Sequence, residues 1–208
     1  MSKDVTSHEL AMPTEISSER LILRPYRIED APAFLEVCVR NREHLLPYEA
    51  GNPALGVATL AQSEALLRRL VADWTTGRAF FLSAWERASG QFVAQIYVGV
   101  AARGPFPLKL EIGYFVDCQR EGQGFVSEAT RAVLEVAFTR LGAAAVRLEC
   151  NELNARSRRV AERCGFRRTG YRARTHLNLP RPDGVPSGDL LYEVSATEWS
   201  RDQSRQKT

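Results

Sequence analysis

Ala31, Phe34, Leu35 and Cys38 recur at i, i+3, i+4 and i+7, the spacing of one apolar stripe on a helix. Asp30 followed by Ala31-Pro32 supplies its start, a capping carboxylate with a proline in the first turn. Ahead of it, Leu21-Ile22-Leu23 predicts a short opening strand. A loop rich in Gly and Pro runs from Pro47 to Gly56. Thr59-x-x-Gln62 is then a capping box, and Leu67, Leu70, Val71 and Trp74 form the stripe of a second helix that stops at Gly77. The pattern next shifts to a period of two. Residues 79–85 and 92–100, joined by Ser89-Gly90, predict an antiparallel hairpin. Leu108, Leu110, Ile112, Tyr114 and Val116 alternate with Lys109, Glu111, Gly113 and Phe115 as a third strand. A glycine-containing loop leads into a helix carrying Phe125, Ala129, Ala132, Val133 and Val136, which Gly142 ends. Val146, Leu148 and Cys150 alternate with Arg147 and Glu149 as the next strand. Asn154 opens a shorter helix that closes at Cys164-Gly165-Phe166. Two last strands, around 171–179 and 190–194, flank Pro182-Asp183-Gly184. The order βααββ-βαβα-ββ, without repeat or linker, predicts one mixed α/β domain over residues 19–199. Residues 1–18 and 200–208, polar and unpatterned, read as flexible ends.

Composition narrows the class. The 208 residues are 44% apolar and 25% charged, ordinary for one globular domain. No apolar run approaches the ~20 residues that span a bilayer. The amino terminus lacks a basic stretch followed by an apolar core, so no secretory signal is visible. Cys38, Cys118, Cys150 and Cys164 are widely spread and only three histidines accompany them, which argues against a zinc site or a disulfide scaffold. That usage predicts a reducing cytoplasm and no metal. The net charge of +3 hides an asymmetry. Between Arg156 and Arg174, eight arginines face one acidic residue, Glu162. Such a run reads either as a solvated face or as an anion site.

The segment Gln119-Arg120-Glu121-Gly122-Gln123-Gly124-Phe125 lies between a strand and a helix. Its glycines let the backbone approach a ligand closely, and the helix start offers unpaired N–H groups to an anion. There is no Gly-Lys-Ser/Thr and no G-x-G-x-x-G, so it is neither a nucleotide P-loop nor a dinucleotide fingerprint. Gln119-x-x-Gly122-x-Gly124 instead resembles the Q/R-x-x-G-x-G/A acyl-coenzyme A signature of the GCN5-related N-acetyltransferases (GNAT). Leu21-Ile22-Leu23-Arg24-Pro25 resembles that family's opening strand, Glu111-Ile112-Gly113-Tyr114 its fourth, and Ser127-Glu128-Ala129 its third helix. Asn154-x-x-Ser157 with 161–166 resembles the next helix and its cap. Asp183-Gly184, Asp189 and Glu198-Trp199 resemble the final hairpin and tail. Asn41-Arg42-Glu43-His44-Leu45 ahead of Pro47 looks most like the ribosomal-protein N-terminal acetyltransferases of the Rim type.

The resemblance implies a central, mostly antiparallel twisted sheet flanked by helices. Its fourth and fifth strands splay apart, and the pantetheine arm of acetyl-coenzyme A runs between them. It implies that amides near Phe115 and Val116 hold the thioester carbonyl. The pyrophosphate would rest on Arg120, Glu121, Gly122, Gln123, Gly124 and Phe125, beside Gln119, with Arg120 adding a charge-assisted contact. Glu111, on the polar face of its strand, is the candidate base, against a surface carboxylate as the plain alternative. Asn154 is both an ordinary N-cap and, by resemblance, a pantetheine contact. Ser157 matches the position thought to protonate the leaving thiolate in the Rim-like group. Many relatives use a tyrosine seven residues after the asparagine, where this chain has Ala161. Arg156, Arg158 and Arg159 are candidates for the 3′-phosphate or for solvent. His44 reads as a loop or packing residue, with lining of the acceptor cleft as the alternative. Nothing near Cys118 argues for an activated thiolate.

The expected reaction is acetyl transfer to an amine acceptor by direct attack in a ternary complex. A protein N-terminus would need an open groove between the first helices and the last hairpin. A small amine, such as an antibiotic or a polyamine, would favour a closed pocket with several carboxylates, for which Glu43, Glu49 and Glu111 are available. A non-catalytic acyl-coenzyme A binding module is the competing class. Nucleic acid is disfavoured because no aromatic recognition motif accompanies the arginines, and a homodimer is compatible with the sequence.

Overall fold

A computed structural model describes residues 10–48, 51–102 and 107–206 of the chain. Glu49 lies outside the described residues. Among the described residues, eight strands form one sheet in the order β1-β2-β3-β4-β5-β6-β8-β7. They are β1 (Ile16–Ser17), β2 (Leu21–Pro25), β3 (Phe80–Glu86), β4 (Phe92–Ala102), β5 (Lys109–Val116), β6 (Ala145–Asn151), β7 (Arg167–Pro180) and β8 (Pro186–Ser195). Every pairing is antiparallel except β5 with β6. The exception follows from connectivity. A parallel neighbour needs a crossover, and the helix α3 (Phe125–Thr139) provides it.

The two faces carry separate cores. Helices α3, α4 (Ala155–Arg163) and α5 (Ala196–Gln206) cover one face, over Leu82, Ile96, Leu110, Val146 and Leu148. Helices α1 (Ala31–Leu45) and α2 (Leu60–Thr75) cover the other, where Phe34, Leu67, Phe92 and Phe115 meet. Thr59 accepts from the Gln62 amide while the Gln62 side chain accepts from the Thr59 amide, so the capping box forms as read. No helix among the described residues is long and apolar enough to cross a membrane.

The structure departs from the sequence reading at three places. The segment before residue 18 is not loose where it is described. Met12 and Ile16 are buried, β1 pairs with β2, and Ser18 and Arg20 bond to Glu128 in the first turn of α3. Residues 196–206 form α5, with Trp199 buried against α3 and its indole N–H donating to Glu135. The Asp30 carboxylate does not cap α1. It accepts two bonds from the Arg24 guanidinium, at 2.7 and 2.8 Å, and one from the Arg27 amide. A cation reachable from the neighbouring strand outcompetes a neutral helix amide for that carboxylate.

Candidate active site

The parallel pairing of β5 and β6 runs only from Lys109–Ala145 to Ile112–Leu148. Beyond it, β5 continues to Val116 and β6 to Asn151 with no ladder between them, so the sheet opens. On its other edge β5 stays paired to β4 through Val116. The Asp117 amide donates to the Val93 carbonyl at 2.9 Å, and strand alternation therefore turns the amides of Phe115 and Gly113 toward β4 as well. The amides of Tyr114 and Val116 face the opening. Of the two amides expected at the thioester, that of Val116 is thus presented and that of Phe115 is committed to the ladder.

The loop after β5 is held from outside. The Cys118 amide donates to the Asn41 carboxamide at 2.7 Å, and Arg40 grips Asp117 through Nε at 2.9 and 3.0 Å. Burial pushes the Asp117 carboxyl up, but the Arg40 guanidinium, the Gln119 amide and Asn41 outweigh it and hold the carboxyl below its usual range. Gly122 and Gly124 both take left-handed backbone angles, φ +74° and +81°. The first backbone closure of α3 is from the Glu128 amide to the Gly124 carbonyl, so Phe125, Val126 and Ser127 begin the helix without helical acceptors. A cleft of about 430 Å³ lies against this turn, bordered by Arg120, Gly124, Arg156, Arg159 and Arg163. Arg120 points its guanidinium to Glu86 on the β3–β4 hairpin and stacks on Phe125, so it is paired within the protein.

Helix α4 lines the opposite wall of the opening. Asn154 caps it by accepting from the Ser157 amide at 3.0 Å. The Ser157 hydroxyl lies 3.1 Å from the Tyr114 hydroxyl, which reaches across from β5 and is also 3.1 Å from the Ser157 carbonyl. Tyr114, Val116, Asn154 and Ser157 border one cavity together with His44 and Glu121. At its mouth the Glu121 carboxylate bridges His44 Nε2 at 2.8 Å and Arg156 at 2.7 Å, joining α1, the loop and α4. On the α1–α2 face, a groove of about 370 Å³ is lined by Pro53, Phe81, Gln95, Tyr97, Gly113 and Phe115. Glu111 is exposed at its edge and accepts from the Tyr97 hydroxyl at 2.9 Å.

Left-handed glycines, open amides and an arginine-bordered cleft beside a splayed parallel pair fit a donor carrying a pyrophosphate on a long thin arm. Residues 20–167 match the model of the acetyltransferase (GNAT) domain. The chain belongs to the GNAT family. It is an acetyl-coenzyme A-dependent N-acetyltransferase. Among relatives, the provisionally named ribosomal N-acetyltransferase YdaF of Bacillus subtilis is 32% identical over 186 residues, 88% of this chain and 94% of that protein. The FsC-acetyl coenzyme A-N(2)-transacetylase of Aspergillus fumigatus is 31% identical over 102 residues, 48% of this chain and only 42% of that protein. Mycobacterium smegmatis RimJ, solved with a coenzyme A disulfide, superposes with a TM-score of 0.73 at 27% identity, covering 86% of this chain and 83% of that one.

In this GNAT chain the fold gathers most of the singled-out residues around the opening, and places Glu111 at the edge of the groove on the α1–α2 face. The arginine run divides. Arg156, Arg159 and Arg163 border the cleft, whereas Arg167 pairs with Glu198 and Arg172 with Glu149. Sequence reasoning missed Tyr114 as the partner of Ser157, Tyr97 as the partner of Glu111, and His44 as a contact of the Glu121 carboxylate. The first two had a signal in strand alternation, since Tyr114 follows Ile112 on one face and Tyr97 lies opposite Gly113 on the other. Burial, then Asp117, raises the Cys118 thiol above its ordinary value, consistent with an inactive thiol.

Proposed function

We propose that this acetyltransferase modifies the N-terminal amine of a protein, by direct attack on acetyl-coenzyme A in a ternary complex. The observation that carries the reading is the groove on the α1–α2 face. It is open, aromatic and glycine-lined, and no carboxylate stands among its described lining residues, which suits a peptide rather than a polycation. The relative YdaF, provisionally named a ribosomal N-acetyltransferase, supports it. A small amine is the second reading, favoured by Glu149 and Asp189 in the cavity on the other side of Tyr114.

In this scheme the donor arm lies between β5 and β6, its thioester carbonyl on the Val116 amide and its pyrophosphate on the amides from 120 to 125. Asn154 lines the arm, Glu111 takes the acceptor's proton, and Ser157 gives one to the departing sulfur. Thiol release would be measured with acetyl-coenzyme A against alanine- and serine-initiated peptides, spermidine and aminoglycosides. Peptides are expected to exceed the small amines in kcat/KM by about tenfold or more, within what pocket discrimination supplies. The reverse order would move the acceptor to the carboxylate-lined cavity.

Ser157→Ala is expected to slow turnover about tenfold, at the low end of acid–base contributions, because a thiolate is a tolerable leaving group. Its backbone amide still donates to Asn154, so the cap survives the substitution. Lower melting temperature with normal turnover would make Ser157 a structural link to Tyr114 instead.

A further inference from the structure

We propose that Tyr97 relays the acceptor's proton to Glu111, so that the amine meets the phenol rather than the carboxylate. The proposal rests on Glu111 as the base in the reading above. On the α1–α2 face the register sets Tyr97 opposite Gly113, and Gly99 opposite Glu111. The Tyr97 side chain lies along the sheet over these positions. A Cβ on Gly99 would fall 2.1 Å from the Tyr97 hydroxyl oxygen and 3.0 Å from Glu111 Oε1, a space only glycine leaves free. A Cβ on Gly113 would stand at an ordinary 3.7 Å from Tyr97 Cδ1. Phe81 buttresses the phenol ring, the two centroids 5.1 Å apart. The hydroxyl ends 2.9 Å from Glu111 Oε1.

Two further facts give this arrangement a direction. Tyr97 lines the groove and its hydroxyl meets Glu111 at the groove's edge, so the phenol connects the groove to the carboxylate. Arg147, opposite Glu111 on β6, spends its Nε on Glu193 at 3.0 Å, which leaves the carboxylate to Tyr97 among the described residues. Burial, then the Glu111 carboxylate, pushes the Tyr97 hydroxyl up to about 12, so the phenol keeps its proton near neutrality and can pass one on only as it receives one.

The step balances. The arriving ammonium gives a proton to Tyr97 Oη while the proton on Oη passes to Glu111 Oε1. The neutral amine then attacks the thioester carbon. A C–N bond forms, the C–S bond breaks with its electron pair on sulfur, and the second proton leaves nitrogen to make the free thiol. Glu111 returns its proton to water.

Tyr97→Phe, Glu111→Gln, the double variant and Gly99→Ala would be assayed with an alanine-initiated hexapeptide at saturating acetyl-coenzyme A. Melting temperature and the KM for acetyl-coenzyme A would be followed alongside. Tyr97→Phe is expected to lower kcat about 10- to 100-fold with that KM unchanged. The double variant should be no slower than the slower single variant, because both break one proton path. Gly99→Ala, which displaces the phenol, should share the loss. Multiplying effects in the double variant, or a fast Tyr97→Phe beside a slow Glu111→Gln, would overturn the relay and leave Glu111 as the base. A fast Glu111→Gln would overturn both.

Discussion

Glu111→Gln is expected to cut turnover by about 10²- to 10⁴-fold, the range of general-base help. The loss should be greatest below pH 8, where an α-amino group of ordinary pKa, about 7.7–8.0, is mostly protonated and most needs a base. The substitution is a clean probe because Glu111 is exposed and its recorded partner is the neutral Tyr97 hydroxyl rather than a buried cation. A glutamine fits the same strand position and can still accept from that hydroxyl. The fold and the affinity for acetyl-coenzyme A are therefore expected to stay unchanged. The check is kcat by thiol release from pH 6 to 9, with calorimetry for the donor. A loss below tenfold throughout would return Glu111 to the surface of β5.

Gly124→Val is expected to weaken acetyl-coenzyme A binding by about tenfold or more while kcat at saturation changes less. Gly124 precedes α3 at φ +81°, where a side chain costs about 1–2 kcal/mol and a β-branched one more. The protein itself leaves room there, since a built Cβ meets only Arg20 Nη2, at 3.6 Å. The harm would come from two other sources. The strained residue re-aims the open amides of the first turn, and the side chain enters space reserved for phosphate oxygens. Gly122, at φ +74° with nothing near a built Cβ, separates the two. Gly122→Ala carries backbone strain alone and should cost less affinity. Unchanged binding in a folded Gly124→Val would refute the loop assignment.

What the chain order disclosed and what it hid have physical causes. Caps are local, so Thr59 with Gln62 and Asn154 with the Ser157 amide could be read from a few letters. The glycine loop was legible because left-handed backbone needs glycine at fixed offsets. The β1 pairing was not, since Leu10, Met12 and Ile16 show no strand or helix period and their burial depends on α3, far away in sequence. Helix α5 was hidden likewise, for Trp199 is nearly alone among polar residues and its partner Phe138 belongs to α3. The Arg24–Asp30 pair shows the opposite failure, a local rule overruled by a stronger charge nearby. Within the site, the hydroxyl contacts of Tyr114 and Tyr97 depend on which strand neighbours which. No single segment contains that fact.

On the β5 and α3 side of the proposed donor site the contacts are offered by main chain, through the Tyr114 and Val116 amides and the first turn of α3. Main chain is indifferent to most mutations. Replacement of Tyr114 or Val116 by any residue but proline keeps its N–H, and the outward course of β5 is fixed by its ladder to β4. The proposed acceptor groove is shaped mainly by side chains, Phe81, Gln95, Tyr97 and Phe115, each one codon change from a different shape. Genetic drift can therefore rewrite what is acetylated while the means of holding the acetyl donor is inherited intact.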